Sequence, residues 1–133
     1  MAKLTVSLVA PDRNLVGLEV DMVTAPSVLG EVGILADHLP LLAELEPGQV
    51  ALSRGTETQR YAIAGGFLEV NANKVLLLLE AAEPKAEIDV KRAEKNSRDA
   101  EDKLKTLSMD DPAYADWSGR LKRARARLQV AAS

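Results

Sequence analysis

Hydrophobic and polar residues alternate over the first two thirds of the chain with the two-residue period of half-buried β-strands. Short runs of this kind fill residues 3–81, and turn residues such as Pro47 and Gly48 separate them. Val75–Leu79 is continuously apolar, which predicts a strand buried on both faces. About eight short strands at this spacing predict a sandwich or a flattened barrel. One predicted strand face contains four alternating residues: Val16, Leu18, Val20 and Met22.

From Ile88 onwards the apolar period changes to that of an α-helix. Two stripes have spacings of three and four residues: Val90, Ala93, Ser97, Ala100, Leu104 and Leu107, then Tyr114, Trp117, Leu121, Ala124, Leu128 and Ala131. Between them, Asp111 and Pro112 are typical of a helix start, so the short connection predicts an antiparallel helical hairpin. Because both stripes are rich in alanine, their seam buries little apolar area. We therefore expect the hairpin to be a movable arm whose stability depends on the surface it contacts.

The net charge of −3 is unevenly distributed. Residues 1–87 hold 6 Lys+Arg and 12 Asp+Glu, a net of −6, whereas residues 88–133 hold 11 and 8, a net of +3. The basic strip is a run of five cations near the end of the second helix: Arg120, Lys122, Arg123, Arg125 and Arg127. Two interpretations explain this run equally well. It is either a solvated helix face, or a surface that binds anions such as phosphate or an acidic segment of a partner protein. DNA is disfavoured because the chain is acidic as a whole.

Composition excludes several classes of function. The 133 residues include no cysteine, one histidine (His38) and 3% aromatic residues. These counts exclude disulfide scaffolds, thiol catalysis and aromatic platforms for single strands, and they disfavour a zinc site. Because no acid–base pair, nucleophile elbow or metal-ligand cluster is found, we predict no catalytic and no metal-binding residues. The run Met1–Thr5 lacks the features of a secretory or transit signal, so we expect an intracellular protein that keeps its N-terminus.

Three further residues have a simple structural interpretation. Asp89 stands before the first helical run and is predicted to be its N-cap. Glu83 is interpreted as a polar residue at a strand end. His38 precedes a proline-bearing turn and is interpreted as a hydrogen-bonding surface residue.

Five short segments follow one another in a specific order: Gly30–Leu42, Leu45–Gly48, Tyr61–Val70, Ala82–Glu83 and Ile88–Ala93. Together they resemble, over essentially the whole chain, the epsilon subunit family of bacterial-type F-type ATP synthases. The resemblance implies a β + α fold, in which an N-terminal ten-stranded β-sandwich (residues 1–86) precedes a C-terminal antiparallel two-helix hairpin (residues 87–133). The sandwich is expected to bind the gamma subunit and the c-ring, and the hairpin is expected to regulate.

The resemblance also implies a function. The chain is expected to be a non-catalytic, central-stalk subunit of a proton-translocating ATP synthase that couples c-ring rotation to ATP synthesis. Its expected location is the cytoplasmic face of the bacterial plasma membrane, where only the complex holds it. Glu31 and His38 match residues that face gamma and the c-ring. The basic strip is expected to meet an acidic segment of the beta subunit, with alpha as a further candidate, and to inhibit ATP hydrolysis.

Some members of the family bind one regulatory ATP between the hairpin and the sandwich. Five residues match those contacts: Glu83, Asp89, Arg92, Arg123 and Arg127. Asp99, however, stands where tighter binders have a basic residue, and an acid there repels phosphate. We therefore expect weak or no ATP binding and no other cofactor. The alternative function is a free-standing binding module whose basic hairpin recognises an acidic or phosphorylated partner, and co-purification with gamma and the c-ring distinguishes the two.

Overall fold

A computed structural model describes residues 3–133. The predictions that involve residues 1 and 2, namely the start of the sandwich unit and the absence of a leader, lie outside the described residues. The strands, β1 to β10 in order, are Leu4–Ala10, Arg13–Val20, Met22–Ser27, Gly30–Leu35, Leu41–Leu45, Gly48–Arg54, Glu57–Ile63, Gly66–Asn71, Lys74–Leu79 and Ala82–Pro84. A 3-10 turn at Lys85–Glu87 then leads to helices α1, Val90–Thr106, and α2, Pro112–Ala131.

The strands form two five-stranded layers. Sheet I has the order β4-β3-β6-β7-β10 and sheet II the order β5-β8-β9-β1-β2, and the two meet where Ser27 pairs with Leu45. Neighbouring strands are antiparallel except β1 and β9. Fully buried side chains from both sheets, such as Val23 and Leu68, fill the space between them. The predicted fold, a ten-stranded sandwich followed by a two-helix hairpin, is therefore confirmed.

The face predicted for Val16, Leu18, Val20 and Met22 is wrong. Gly17 adopts a left-handed φ of 73°, and the β1–β2 register shifts nearby. As a result, Leu15 and Leu18, which lie on either side of the glycine, both pack on the core, and Val16 is exposed. The strand also ends at Val20, and Met22 begins the next one, so the single predicted strand corresponds to β2 and β3. That break and the uncounted strands β5 and β10 explain why ten strands exceed the predicted number.

The prediction that Val75–Leu79 is buried on both faces is also wrong. In β9, Val75, Leu77 and Leu79 point into the sandwich and are buried, whereas Leu78 points outward and is 46% exposed. Apolar sequence on both sides of a strand predicts cover on both sides. Among the described residues, no element covers the outer side of this strand with a helix or a third sheet layer.

The helix boundaries follow from two aspartate caps, both as predicted. The Asp89 carboxylate accepts a hydrogen bond from the backbone N–H of Arg92 at 3.1 Å and caps α1. The Asp111 carboxylate accepts from the backbone N–H of Ala113 at 2.8 Å and caps α2, with Pro112 in its first turn.

Helix α2 lies between α1 and the outer side of sheet I, where it contacts β6 and β7. The centre of the predicted helix–helix seam is present, because Ala93, Ser97, Ala100, Leu121 and Ala124 are buried, whereas Val90 at its start is 41% exposed. A second line on α2 was missed, because Ala126 and Val130 are also buried and pack with Ala62 of β7. Three small side chains and the partly buried Ile88 make up this contact, so the hairpin rests on the sandwich through a small apolar cluster.

Candidate functional site

The outer side of sheet II is an exposed surface with apolar side chains on three adjacent strands. Leu42 on β5 is 72% exposed, Phe67 on β8 is 52% exposed, and Phe67 pairs across the ladder with Leu78 on β9. Glu44 and Glu69, which are also exposed, stand directly opposite Phe67 and Leu42. We name these five residues the uncovered face. An apolar patch with polar neighbours is typical of a protein–protein contact surface.

The two residues predicted to face rotor partners, Glu31 and His38, lie at opposite ends of β4. Glu31 is beside the β3–β4 turn, where Leu29 is 97% exposed. His38 follows the other end of the strand, and its backbone N–H donates to the Leu35 carbonyl at 3.2 Å. Because the His38 loop leads into β5, it borders the uncovered face. Glu31 and His38 therefore lie beside two different loops, one at each end of β4.

A cleft between the end of the sandwich and the hairpin contains four of the five residues that match nucleotide contacts. Its lining consists of Glu83, Glu87, Asp89, Arg92, Ala93, Asn96 and Arg127. Arg127 Nε donates to Glu83 Oε1 at 2.8 Å, and both side chains are 30% exposed. Three carboxylates and two guanidinium groups therefore share this cleft. Glu83 thus already holds one of the two guanidinium groups that a triphosphate would need in this cleft.

The fifth matching residue, Arg123, lines a neighbouring depression together with Asp99 and Trp117. Arg120 and Arg127 line it too, because residues three and four positions from Arg123 share its side of the helix. The Arg120 guanidinium carbon is 4.4 Å from the centroid of the Trp117 ring, a cation–π contact. The acid at position 99 is thus among the cations, where it lowers the positive potential.

Ion pairs divide four of the five cations of the basic strip into two groups. Lys122 Nζ lies 3.7 Å from Glu46 Oε2, and this pair, like Arg127–Glu83, joins the hairpin to the sandwich. Arg125 pairs with Glu101 of α1 at 3.4 Å, within the hairpin. Arg120 pairs with Asp116 of α2 at 3.1 Å. The acidic sandwich therefore supplies counter-charges for the basic hairpin in this arrangement.

A long-range ion pair that sequence reasoning missed holds the linker. Arg13, at the start of β2, donates to the Glu87 carboxylate at 2.5 Å. This hydrogen bond, which favours the charged guanidinium, raises the pKa of Arg13 despite partial desolvation. Glu87 is 74 residues away in sequence, so only the fold reveals the contact. The pair fixes the 3-10 turn to the sandwich immediately before the hairpin begins.

Comparison with known proteins identifies the family. Residues 3–85 match the model of the ATP synthase delta/epsilon chain β-sandwich domain, and residues 86–132 match that of the delta/epsilon chain long α-helix domain. The chain belongs to the ATP synthase delta/epsilon family. The resemblance seen in the sequence is therefore confirmed.

Bacterial members of the delta/epsilon family are similar along their whole length. The ATP synthase epsilon chain of Anaeromyxobacter dehalogenans (strain 2CP-1) is 41% identical over 128 residues, which cover 96% of this chain and 97% of the relative. The ATP synthase epsilon chain of Myxococcus xanthus is 35% identical over 98% of this chain and 96% of its own.

Solved structures show the same fold. A chain in the mitochondrial ATP synthase of Euglena gracilis, solved with its c-ring, has a TM-score of 0.85 and 26% identity, and the match covers all of this chain and 83% of that one. A chain of the central stalk and c-ring from Tetrahymena thermophila matches with a TM-score of 0.70 at 19% identity, over 98% of this chain and 97% of that one. In residues 3–133, neither helix is long and apolar enough to cross a membrane.

Proposed function

We propose that this chain is a non-catalytic subunit of the central stalk of a rotary ATP synthase and that its sandwich binds the rotor. The uncovered face carries this proposal. Leu42, Phe67 and Leu78 are exposed on three adjacent strands of a five-stranded sheet, and burying their apolar area contributes about 25 cal/mol per Å². A partner on this face explains why β9 is apolar on both sides, because both sides are then buried.

Two surfaces suit two partners. A stalk subunit that runs beside the sandwich needs a broad side surface, so we assign gamma to the uncovered face, with His38 at its border. A ring beneath the sandwich meets one end of it, so we assign the c-ring to the β3–β4 turn with Leu29 and Glu31. Association with the cytoplasmic face of the bacterial plasma membrane then follows from the complex alone.

Single-cysteine crosslinking tests these assignments, because the chain has no cysteine of its own. In the assembled ATP synthase, Leu42→Cys is expected to crosslink to gamma and Leu29→Cys to the c-ring. Thr56→Cys, in an exposed turn of sheet I, is the matched control and is expected to crosslink to neither. Absence of both crosslinks in a complex that retains the chain contradicts the proposal. Failure of the chain to co-purify with gamma and the c-ring favours the free-standing binding module.

The hairpin is proposed to regulate ATP hydrolysis through the basic strip. Its contact with sheet I is small, and two of its cations, Lys122 and Arg127, already bind acids of the sandwich, so an acidic segment of the beta or alpha subunits can compete for them. A small free-energy difference between two positions lets partners shift the population. Truncation after residue 87 is expected to raise the ATP hydrolysis rate of the assembled complex, and an unchanged rate contradicts an inhibitory role.

We also propose that ATP binds weakly or not at all to the cleft. Glu83 already occupies the Arg127 guanidinium, and Asp99 weakens the neighbouring depression. Calorimetry on the isolated chain is expected to show no binding in the micromolar range. Micromolar affinity contradicts this interpretation of the charges.

A further inference from the structure

Two turns that are far apart in the sequence hold each other through a reciprocal pair of hydrogen bonds. The backbone N–H of Asp37 donates to Asn73 Oδ1 at 2.6 Å, and Asn73 Nδ2 donates to Asp37 Oδ1 at 3.2 Å. Asp37 lies in the loop between β4 and β5, and Asn73 lies in the turn between β8 and β9. The backbone N–H of Thr5 donates to the Asn73 carbonyl at 2.8 Å, which anchors that turn to β1.

Both members of the pair have an uncommon backbone conformation. The φ angles of Asp37 and Asn73 are 65° and 61°, in the left-handed region that aspartate and asparagine adopt more readily than other residues with a side chain. Asn73 shares this conformation with Ala72, φ 51°, because the two residues form the tight turn between β8 and β9. Neither hydrogen bond serves the core, because both are at the surface.

The pair controls the position of the residues that follow Asp37. His38 and Leu39 come directly after it, Leu39 is 79% exposed, and the chain then enters β5 and reaches Leu42 of the uncovered face. Asn73 is the last residue of the turn before β9, which carries Leu78 of the same face. The pair therefore joins the two loops at one border of the uncovered face.

We propose that Asp37 and Asn73 are positioning residues for partner binding. They hold the His38–Leu39 segment in its binding conformation before the partner arrives, so that binding does not have to order the loop. The exposed Leu39 then extends the apolar surface of the uncovered face. This inference rests on the proposed function, and its partner is the subunit assigned to that face, gamma.

The test uses full-length chains and an ATP synthase complex depleted of this subunit. Asn73→Asp removes the amide donor and places two carboxylates together, and it is expected to weaken binding about tenfold. The swap Asp37→Asn with Asn73→Asp restores a donor and an acceptor at the original net charge, and it is expected to bind within about twofold of the unchanged chain. Asn73→Gly keeps the left-handed backbone accessible but removes both bonds, and it is expected to bind as weakly as Asn73→Asp.

A matched control separates positioning from stability. The Asp21 carboxylate also clamps a turn, accepting from the backbone N–H of Gly55 at 2.7 Å, but on sheet I. Asp21→Ala is expected to bind within about twofold of the unchanged chain. Hydrogen exchange at the His38 amide is expected to accelerate in Asn73→Asp and Asn73→Gly and to recover in the swap.

Two results overturn the inference separately from the function. If the unchanged chain binds and Asn73→Gly binds equally well, the pair does not position the loop. If Asp21→Ala weakens binding as much as Asn73→Gly does, the effect reflects general stability. If the unchanged chain itself fails to bind the depleted complex, the proposed function is wrong and the inference falls with it.

Discussion

The ion pair between Glu83 and Arg127 joins the hairpin to the sandwich, so its removal is expected to weaken that contact. Glu83 lies on β10 of the sandwich, and Arg127 lies on α2 near the small apolar cluster. Replacing Glu83 with Gln keeps the shape and an acceptor oxygen but removes the charge. We expect Glu83→Gln to increase the population of chains whose hairpin has left the sandwich.

The size of the effect follows from the geometry. Fully exposed ion pairs contribute up to about 1 kcal/mol, and well-formed hydrogen bonds to charged groups contribute about 1.5–3 kcal/mol. The Arg127–Glu83 pair is short, at 2.8 Å, but each side chain is 30% exposed, so solvent weakens the attraction. Because Gln can still accept a neutral hydrogen bond, we expect a loss of about 1 kcal/mol, which changes the ratio of docked to undocked hairpin about fivefold.

Hydrogen exchange of the α2 amides in the isolated chain measures this ratio. Glu101→Gln is the matched control, because it removes the pair with Arg125 inside the hairpin and leaves the contact with the sandwich intact. Faster exchange of Ala126 and Val130 is expected in Glu83→Gln only. Equal exchange in Glu83→Gln and the unchanged chain, or an equal acceleration in Glu101→Gln, refutes the interpretation that the Glu83–Arg127 pair holds the hairpin on the sandwich.

Two further predictions concern the sandwich. Gly66 has a φ of 147°, and a Cβ there would meet the backbone of the neighbouring strand, so Gly66→Ala is expected to destabilise the chain by at least about 3 kcal/mol. Gly17→Ala, with a φ of 73° but open space around it, is expected to cost only about 1 kcal/mol in the same denaturation experiment, and equal losses contradict the steric argument. Hydrogen bonding from the Gly55 N–H and the ion pair with Lys3 lower the pKa of Asp21. The Asp21 carboxylate therefore stabilises the folded chain fully above its unfolded pKa of about 3.9, and this stabilisation is lost as the pH falls through the lower folded pKa. Unfolding measured across this acid range is expected to show a smaller pH dependence in Asp21→Asn, and an unchanged dependence contradicts it.

Local signals in the sequence predicted most of the fold. Alternation along the first two thirds, the change of period at Ile88 and the aspartate caps depend on neighbouring residues alone, so they could be recognised without a structure. The same signals failed at Gly17, because a left-handed glycine shifts the strand register and reverses which side faces the core. The candidate residues Glu83, Asp89, Arg92 and Arg127 came from a motif, and the fold brings them into one cleft.

By itself, the sequence determined three properties: an acidic strand-rich unit, a basic helical hairpin and a family signature. Each depends only on the spacing and charge of neighbouring residues. Tertiary structure decided which surfaces are available. The apolar run Val75–Leu79 looks the same whether one side or both are buried, and only the sheet order leaves Leu78 exposed on the uncovered face. Likewise, Glu31 and His38 are seven positions apart in the chain, and the extended strand between them places them at opposite ends of β4. Contacts such as Arg13–Glu87 and Asp37–Asn73 join segments that are far apart in sequence. Their energy depends on the distance between the two side chains in the fold, which no pattern of neighbouring residues indicates.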